Sequence, residues 1–449
     1  MRLRFSTSLA CLILSGCTGA QEPVPAPEPK PETEPALEAE AEPKPKPEAP
    51  RPPPKPLLEK LGLPPSWTEL DRYQGKITRE VFEAELIRNY AEDPKAIGKM
   101  IQIFPDHAEI VRNSWFADQT WTLRFAAEET ENPPPRYWRS AQQLPPLSDP
   151  EKPLEGMRIA VDPGHIGGEF AKMEARWFQI REDTLPVMEG EVALRVGEIL
   201  RDELTRLGAR VALVRRENKP VTRTRPADYV EYIREFSNFP PDADPETDLG
   251  LLRAAERTFY LSSEIRARAK QINDDFRPDL ALCLHVNAEA WGDPADPDFV
   301  DKNHFHILTS GCFSAGEIKK DDQRFELLRR LLQRTHPEEL AVATTVAEVM
   351  SEAINLPEFT YKGKNAKMVG KSPYVWSRNL LATRIFECPV VFFEPYVMNN
   401  QTVHDRVQEG EYRGIRKVNG EWRIDLFREY AHGVAAGVAE HYRKVRRRS

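Results

Sequence analysis

The sequence predicts an α/β protein: a mixed, mainly parallel sheet with helices on both faces, preceded by a small α+β accessory segment and a disordered proline-rich linker. Three observations carry this prediction. Apolar, largely β-branched runs of strand length recur around Ile159, Leu282 and Val391, each stopped by a polar or proline-containing stretch. Stretches with helical spacing stand between them, Glu189 to Leu207 above all, and strands that alternate with helices assemble into a sheet covered on both sides. Residues 21–56 are almost wholly Pro, Glu, Ala and Lys, a composition that cannot bury a core.

In chain order, Arg2 and Arg4 precede an apolar run from Phe5 to Leu14 that is too short to span a bilayer as a helix. Leu14-Ser-Gly-Cys17 follows. This looks like a bacterial lipoprotein signal over residues 1–17, with Cys17 the lipidated membrane anchor. Thr18 stands where aspartate would retain such a protein at the inner membrane, which implies the periplasmic face of the outer membrane. The alternative is an ordinary secretory signal with an incidental cysteine, and either reading takes the chain out of the cytoplasm. The linker, 18–56, favours polyproline II and at roughly 3 Å per residue reaches on the order of 100 Å. Residues 57–150 read as an accessory domain of no recognised family. Lys76 to Tyr90 has helical periodicity, and Ala108 to Phe125 alternates as a hairpin about Asp118. Trp115, Trp121 and Trp138 suit either buried aromatics or rings that stack on sugars.

The remainder, 151–449, is organised about Met157-Arg-Ile-Ala-Val-Asp-Pro-Gly-His-Ile-Gly-Gly168. Ile159 and Val161 belong to a buried strand that Asp162-Pro163-Gly164 stops. His165 therefore falls in the loop at the strand's open end, where α/β sheets hold ligands. Helix Glu189 to Leu207 turns Val192, Val196, Ile199, Leu200 and Leu204 inward, with Gly208 as its C-cap. Strand Arg210 to Arg215, a long connection from Glu217 to Tyr260, helix Ser262 to Asn273 and strand Asp279 to Val286 follow. A strand at Lys302 to Thr309, helices at Arg324 to Gln333 and Pro337 to Ile354, and strand Val390 to Phe393 ending at Glu394 complete the sheet. Asn419-Gly420 signals a type I′ hairpin, and Asp425 to Arg443 a closing helix.

Totals set limits. Net charge is −8 over 449 residues, which argues against a nucleic-acid partner, and the basic run Arg443 to Arg448 reads as a solvated helix end. Of the five cysteines, Cys11 and Cys17 fall in the signal segment, and three remain, an odd number that rules out a complete disulfide framework. Cys283 reads as a small core residue, and a Cys312–Cys388 bridge has no support from spacing.

Two imidazoles, His165 and His285, and a carboxylate at the head of a helix suit zinc with an open fourth position, while a further carboxylate, Glu394, suits a general base. In this order the motifs resemble the zinc-dependent N-acetylmuramoyl-L-alanine amidases, from about Met157 to about Tyr442. His165 in DPGHIGG matches that family's first zinc ligand. Glu189, five residues before Leu194, matches the second, and His285 in Leu284-His-Val-Asn-Ala288 the third. Arg215 matches the arginine ending the second strand, and Arg266 to Ala269 the start of a later helix. Arg384, five residues before Pro389, matches the active-site arginine, although Arg378 is close by. Glu394, five after Pro389, matches the catalytic glutamate, and Asn400 the asparagine beyond it.

The resemblance implies Zn2+ as cofactor, peptidoglycan as substrate, and hydrolysis of the amide between muramic acid's lactyl group and L-alanine. The alternatives are a zinc peptidase acting on another cell-envelope amide and a non-catalytic peptidoglycan-binding lipoprotein. Glu191 is the other candidate for the second ligand, Asn287 reads as a turn group, and His304 and His306 read either as satisfied histidines or as cleft residues. Ile166 departs from the family's usual glycine, and Pro395-Tyr396 from its small residues. Some relatives carry an inserted helix withdrawn by an activator protein; the length of Glu217 to Tyr260 and of Cys312 to Leu340 suggests the same device here.

Overall fold

The computed structural model describes residues 64–129, 132–236, 239–240, 242–293 and 296–446. The signal sequence with Cys17 and the linker 18–56 lie outside the described residues.

Along the chain, helix α1 (Arg79–Glu85) leads through one π turn (Leu86–Tyr90) to a meander of β1 (Ile101–Ile103), β2 (His107–Asn113) and β3 (Phe116–Arg124). The hairpin thus turns at Ser114-Trp115, and Asp118 lies within β3: the turn expected about Asp118 is displaced. The cause is tertiary, because the Ser114 amide and hydroxyl both donate to Asp321, at 3.0 and 2.6 Å.

The main sheet begins with β4 (Arg158–Pro163). A small hairpin, β5 (Trp177–Phe178) and β6 (Val187–Met188), follows, and then α2 (Glu189–Arg206) and β7 (Arg210–Leu213). Next, α3 (Val230–Phe236), α4 (Leu249–Thr258) and α5 (Glu264–Lys270) lead to β8 (Leu280–Leu284). The helix expected from Ser262 begins much earlier, at Leu249, where Asp248 caps it by accepting from Gly250 N and Leu251 N. A short ribbon of β9 (Gly292–Asp293) and β10 (Asp296–Pro297) precedes β11 (Phe305–Ser310), and α6 (Ala315–Ile318), α7 (Asp321–Gln333) and α8 (Thr335–Ile354) come after it. Then come β12 (Lys367–Met368), β13 (Val375–Arg378), α9 (Leu381–Ile385), β14 (Val390–Pro395), α10 (Gln401–Gln408), hairpin β15 (Arg416–Val418) and β16 (Glu421–Arg423), and α11 (Leu426–Arg446). At the hairpin tip Asn419 and Gly420 both have positive φ, 51° and 87°, as a type I′ turn requires.

Seven strands form the sheet in the order β12-β13-β11-β14-β8-β4-β7. The pairs β7/β4, β4/β8, β8/β14 and β11/β13 are parallel; β11/β14 and β12/β13 are antiparallel. Because successive side chains point to opposite faces, Ile159, Val161, Leu282, Val391 and Phe393 pack under α2, α8 and α11, while Ala160, Ala281, Cys283, Val390 and Phe392 pack under α5 and α9. A mixed, mainly parallel α/β sheet covered on both faces is therefore the architecture. Cys283, Cys312 and Cys388 are all free, so no Cys312–Cys388 bridge forms.

The segment 57–150 does not close its core alone. Leu70, Phe82, Leu86, Ile110, Trp121 and Leu123 share one apolar cluster with Ile318, Phe325, Leu328 and Leu331 of α6 and α7. The described residues accordingly fall in one compact unit. Trp121 and Trp138 are buried, whereas Trp115 at the hairpin tip is 89% exposed. Among the described residues no helix is long and apolar enough to cross a membrane.

Candidate metal centre

The centre grows out of the carboxyl ends of β4 and β8 and the first turn of α2. The ladder between β4 and β8 runs to Gly164, whose amide donates to Leu284 O at 2.8 Å, and the chain then leaves the sheet at His165 in a left-handed turn (φ 52°). Close backbone approach does the rest. A Cβ on Gly164 would lie 2.2 Å from the His285 ring, and one on Gly190 would lie 2.4 Å from the amide nitrogen of Gly167. Only glycines let the His165 loop, the His285 ring and the head of α2 meet this tightly.

Two buried arginines lock the arrangement. Arg268 donates to Asp162 Oδ1 (2.9 Å), to Pro163 O (2.6 Å) and to His165 O (2.6 Å), with Glu264 as its second carboxylate partner. Arg215 donates to Gly190 O (2.6 Å) and Gly164 O (3.2 Å), tying helix to loop. Burial pulls the Arg215 guanidinium down to about 9. Both motif arginines are scaffolding.

His165, Glu189 and His285 each offer a ligand atom, and these atoms lie within 4.8 Å of one another. His165 Nε2 is 3.2 Å from Glu189 Oε2, and His285 Nδ1 is 2.9 Å from Glu189 Oε1. Donors this close, two imidazoles and a carboxylate, form a group that could hold a metal ion. Glu189 Oε2 is buried and accepts no hydrogen bond, although Arg176 Nε lies 2.8 Å away. The Glu189 carboxylate is thus flanked by an imidazole at each oxygen, with the Arg176 guanidinium as its ion-pair partner, a buried donor set that suits a cation.

Electrostatics agree. Burial alone would raise the Glu189 carboxyl, but the His165 and His285 imidazoles and the Arg176 guanidinium outweigh it and hold it at about 2. Burial lowers His285 against the pull of Glu189, keeping the ring in the neutral form a metal needs. Glu191, the alternative second ligand, instead accepts from Asn218 Nδ2 at 3.2 Å.

Glu394 sits on β14, opposite His306 of β11. Burial, and then the Glu189 charge, push its carboxyl up to about 8, with Arg176 and Arg378 opposing. Arg384 is elsewhere engaged: its guanidinium is paired with Glu326 and donates to Asn379 Oδ1 at 2.9 Å. Arg378 and Arg176 are the arginines whose charge reaches Glu394. Asn400 caps α10 and donates to Val300 O, and the Asn287 side chain accepts from Ala288 N, so both hold loops.

Sequence reasoning missed Glu174. Its carboxylate lies 3.4 Å from His165 Nδ1 and accepts from Ile166 N (2.9 Å) and Gly167 N (3.2 Å). Burial raises it, yet the imidazole and the two amides outweigh that and hold it below the usual carboxylate range. A carboxylate behind a histidine ligand fixes the ring's tautomer and orientation. No periodicity or motif marks Glu174 in the sequence. Neither Glu217 to Tyr260 nor Cys312 to Leu340 makes an ion pair with the three donors or Glu394 among the described residues: the first packs Tyr229, Ile233 and Leu251 on Ile166 and Phe170, and the second fills the accessory core.

No family model and no curated protein match the chain. Among solved structures, the N-acetylmuramyl-L-alanine amidase Ami1 from Mycobacterium smegmatis is 16% identical over 64% of this chain and 98% of its own, with a TM-score of 0.35. The CwlD amidase from Clostridioides difficile, solved in complex with the GerS lipoprotein, is 11% identical over 64% and 98% of the two chains, at 0.34. The catalytic domain of CwlV, an N-acetylmuramoyl-L-alanine amidase from Bacillus (Paenibacillus) polymyxa var. colistinus, is 12% identical over 63% and 97%, also at 0.34. Likeness this distant decides neither activity nor metal, which rest on the donor geometry.

Proposed function

We propose that this chain is a zinc-dependent N-acetylmuramoyl-L-alanine amidase that cuts peptidoglycan, tethered to the periplasmic face of the outer membrane through Cys17 and the linker 18–56. The observation that carries the reading is the convergence of His165, Glu189 and His285, with the buried carboxyl of Glu394 held up in part by the Glu189 charge. Zinc bound to the three donors would supply a Lewis acid that polarises the scissile carbonyl and brings the pKa of water to near ~7.

The chain's own groups do the rest. Glu394 Oε takes one proton from the attacking water and delivers it to the leaving nitrogen as the C–N bond breaks, leaving a carboxylic acid and an amine. A carboxyl that burial holds near neutrality is suited to both transfers, since it neither keeps nor loses the proton irrevocably. Glu174 keeps the His165 ring aimed, and Arg268 and Arg215 keep the loop from relaxing.

The deciding experiment combines zinc stoichiometry of residues 57–449 with mass spectrometry of digested sacculi. One zinc per chain and release of intact stem peptides from glycan are expected. Fragments cut inside the stem peptide would replace the amidase by a peptidase. Glu394→Ala should retain zinc and lose about 10²–10⁴-fold in turnover, the usual worth of positioned proton transfer; unchanged turnover would remove Glu394 from the chemistry.

A further inference from the structure

The same end of the sheet carries a second cluster that amide hydrolysis leaves unused. Antiparallel pairing sets His306 directly opposite Glu394, and such cross-strand partners keep their Cβ atoms ~4.5–5.5 Å apart on one face. After α8 the chain returns to this end: Phe305 N donates to Pro357 O (3.0 Å) and Phe359 N to Phe305 O (3.2 Å). Phe359 and Tyr361 are thereby brought against His306. The Tyr361 hydroxyl lies 2.8 Å from His306 Nε2, and Phe359 stacks on the imidazole at 4.9 Å. Trp376 meets the Tyr361 ring at 5.3 Å, and Arg378, next on the same face of β13, lays its guanidinium over that ring at 5.6 Å. Burial holds His306 down at about 3, so the imidazole orients the phenol without adding charge.

Arg378 is the unusual member. Arg384 and Arg268 are paired with carboxylates, whereas Arg378 is in no ion pair among the described residues. Its charge nonetheless reaches Glu394, His306 and Tyr361. A half-buried guanidinium without an anion of its own presents a rigid fork of donors matched to a carboxylate, and the Tyr361 hydroxyl, held by His306, accepts from that guanidinium and orients it.

We propose that Arg378 and Tyr361 form a carboxylate-recognition subsite beside Glu394, with His306 as the residue that positions the phenol. The Arg378 backbone stands opposite Ser310, four residues along β11 from His306, and it is the guanidinium laid back over Tyr361, whose hydroxyl reaches His306, that brings the subsite toward Glu394; the subsite takes peptides with a free carboxylate a short way along the chain from the scissile bond. The assignment rests on the amide-hydrolysis reading and names the substrate feature that reading leaves open.

The test uses two N-acyl-L-alanyl dipeptides that differ only in whether the second residue's α-carboxyl is free or amidated. With the zinc-loaded full chain, kcat/KM for the free acid should exceed that for the amide by about tenfold or more, with the difference in KM. Arg378→Gln should bring the ratio near one. Arg378→Lys, which keeps the charge and loses the fork, and Tyr361→Phe should each lower it partway. Equal values for the two peptides in the unmutated protein, or a ratio untouched by Arg378→Gln, overturns the subsite. Calorimetric binding of the same peptides separates the two claims. If neither is cut, but the acid alone binds and Arg378→Gln abolishes that binding, the subsite stands and the amidase reading falls; if neither is cut or bound, both fall.

Discussion

Gly164 shows how narrow the tolerances of the centre are. Its missing side chain is the space the His285 ring occupies, so Gly164→Ala must push that ring off the donor position. The expected result is loss of zinc binding with the fold retained, read by metal analysis alongside circular dichroism. Glu174→Gln is milder: the amide still fills the space but no longer draws the His165 Nδ1 proton, and zinc affinity should fall about 10–100-fold in a chelator competition. Glu189→Gln should abolish zinc binding, and Glu191→Gln, which only breaks a contact to Asn218, should leave it intact. At this scale the three candidate donors were legible in the sequence because each ends a strand or begins a helix. The carboxylate behind His165 was not, because nine residues of irregular chain return it to the loop.

Among the elements, α8 and α11 cross closely at Gly437, where a Cβ would come within 2.7 Å of the Val346 Cα. Gly437→Ala should therefore cost about 1–3 kcal/mol by overpacking, despite alanine's better helix propensity, and a denaturant titration would show the drop in midpoint. Helix α7 bears on the activator idea. Arg324 and Arg330 are fully buried on it, Arg330 paired with Glu339, and Leu327, Leu328 and Leu331 complete the accessory core. Withdrawing it would expose that core, so α7 is a structural member and not a removable plug. The long elements were readable from periodicity, whereas the short strands β12 and β13, the short helices α9 and α10, and two boundaries were not. The β2–β3 turn is set by Asp321, two hundred residues downstream, and the start of α4 by packing of Leu251, Ala255 and Phe259 on Ile166 and Phe170.

For the molecule as a whole, the shared core makes a direct prediction. A fragment beginning at residue 151 leaves Ile318, Phe325, Leu327, Leu328, Leu331 and Leu332 uncovered, each worth about 1.5–3 kcal/mol when buried. It should aggregate or melt far below the 57–449 protein, and the latter should unfold in a single transition by calorimetry; a stable, active 151–449 fragment would refute this. Acid stability follows from three buried histidines. Burial depresses His306 to about 3 and His336 and His441 to about 4, below the ordinary 6.5. Below pH 6.5 the unfolded chain takes up protons that the folded chain refuses. Their contribution is thus complete above 6.5 and lost as pH falls toward 4 and then 3, at up to about 1.4 kcal/mol per pH unit for each group. Urea unfolding of His336→Phe should show a shallower decline between pH 6.5 and 4 than the unmutated protein.

By itself the sequence determined the α/β class, the long strands and helices in their order, and the three donors that converge, because periodicity, chain breakers and capping are local properties carried by neighbouring residues. Only the tertiary structure decided that Glu189 and not Glu191 faces the imidazoles, that Arg384 is tied to Glu326 while Arg378 lies over the Tyr361 ring, and that residues 64–125 share a core with α7. Those choices depend on which buried groups find partners across long stretches of chain. Such pairings exist only once the sheet has closed.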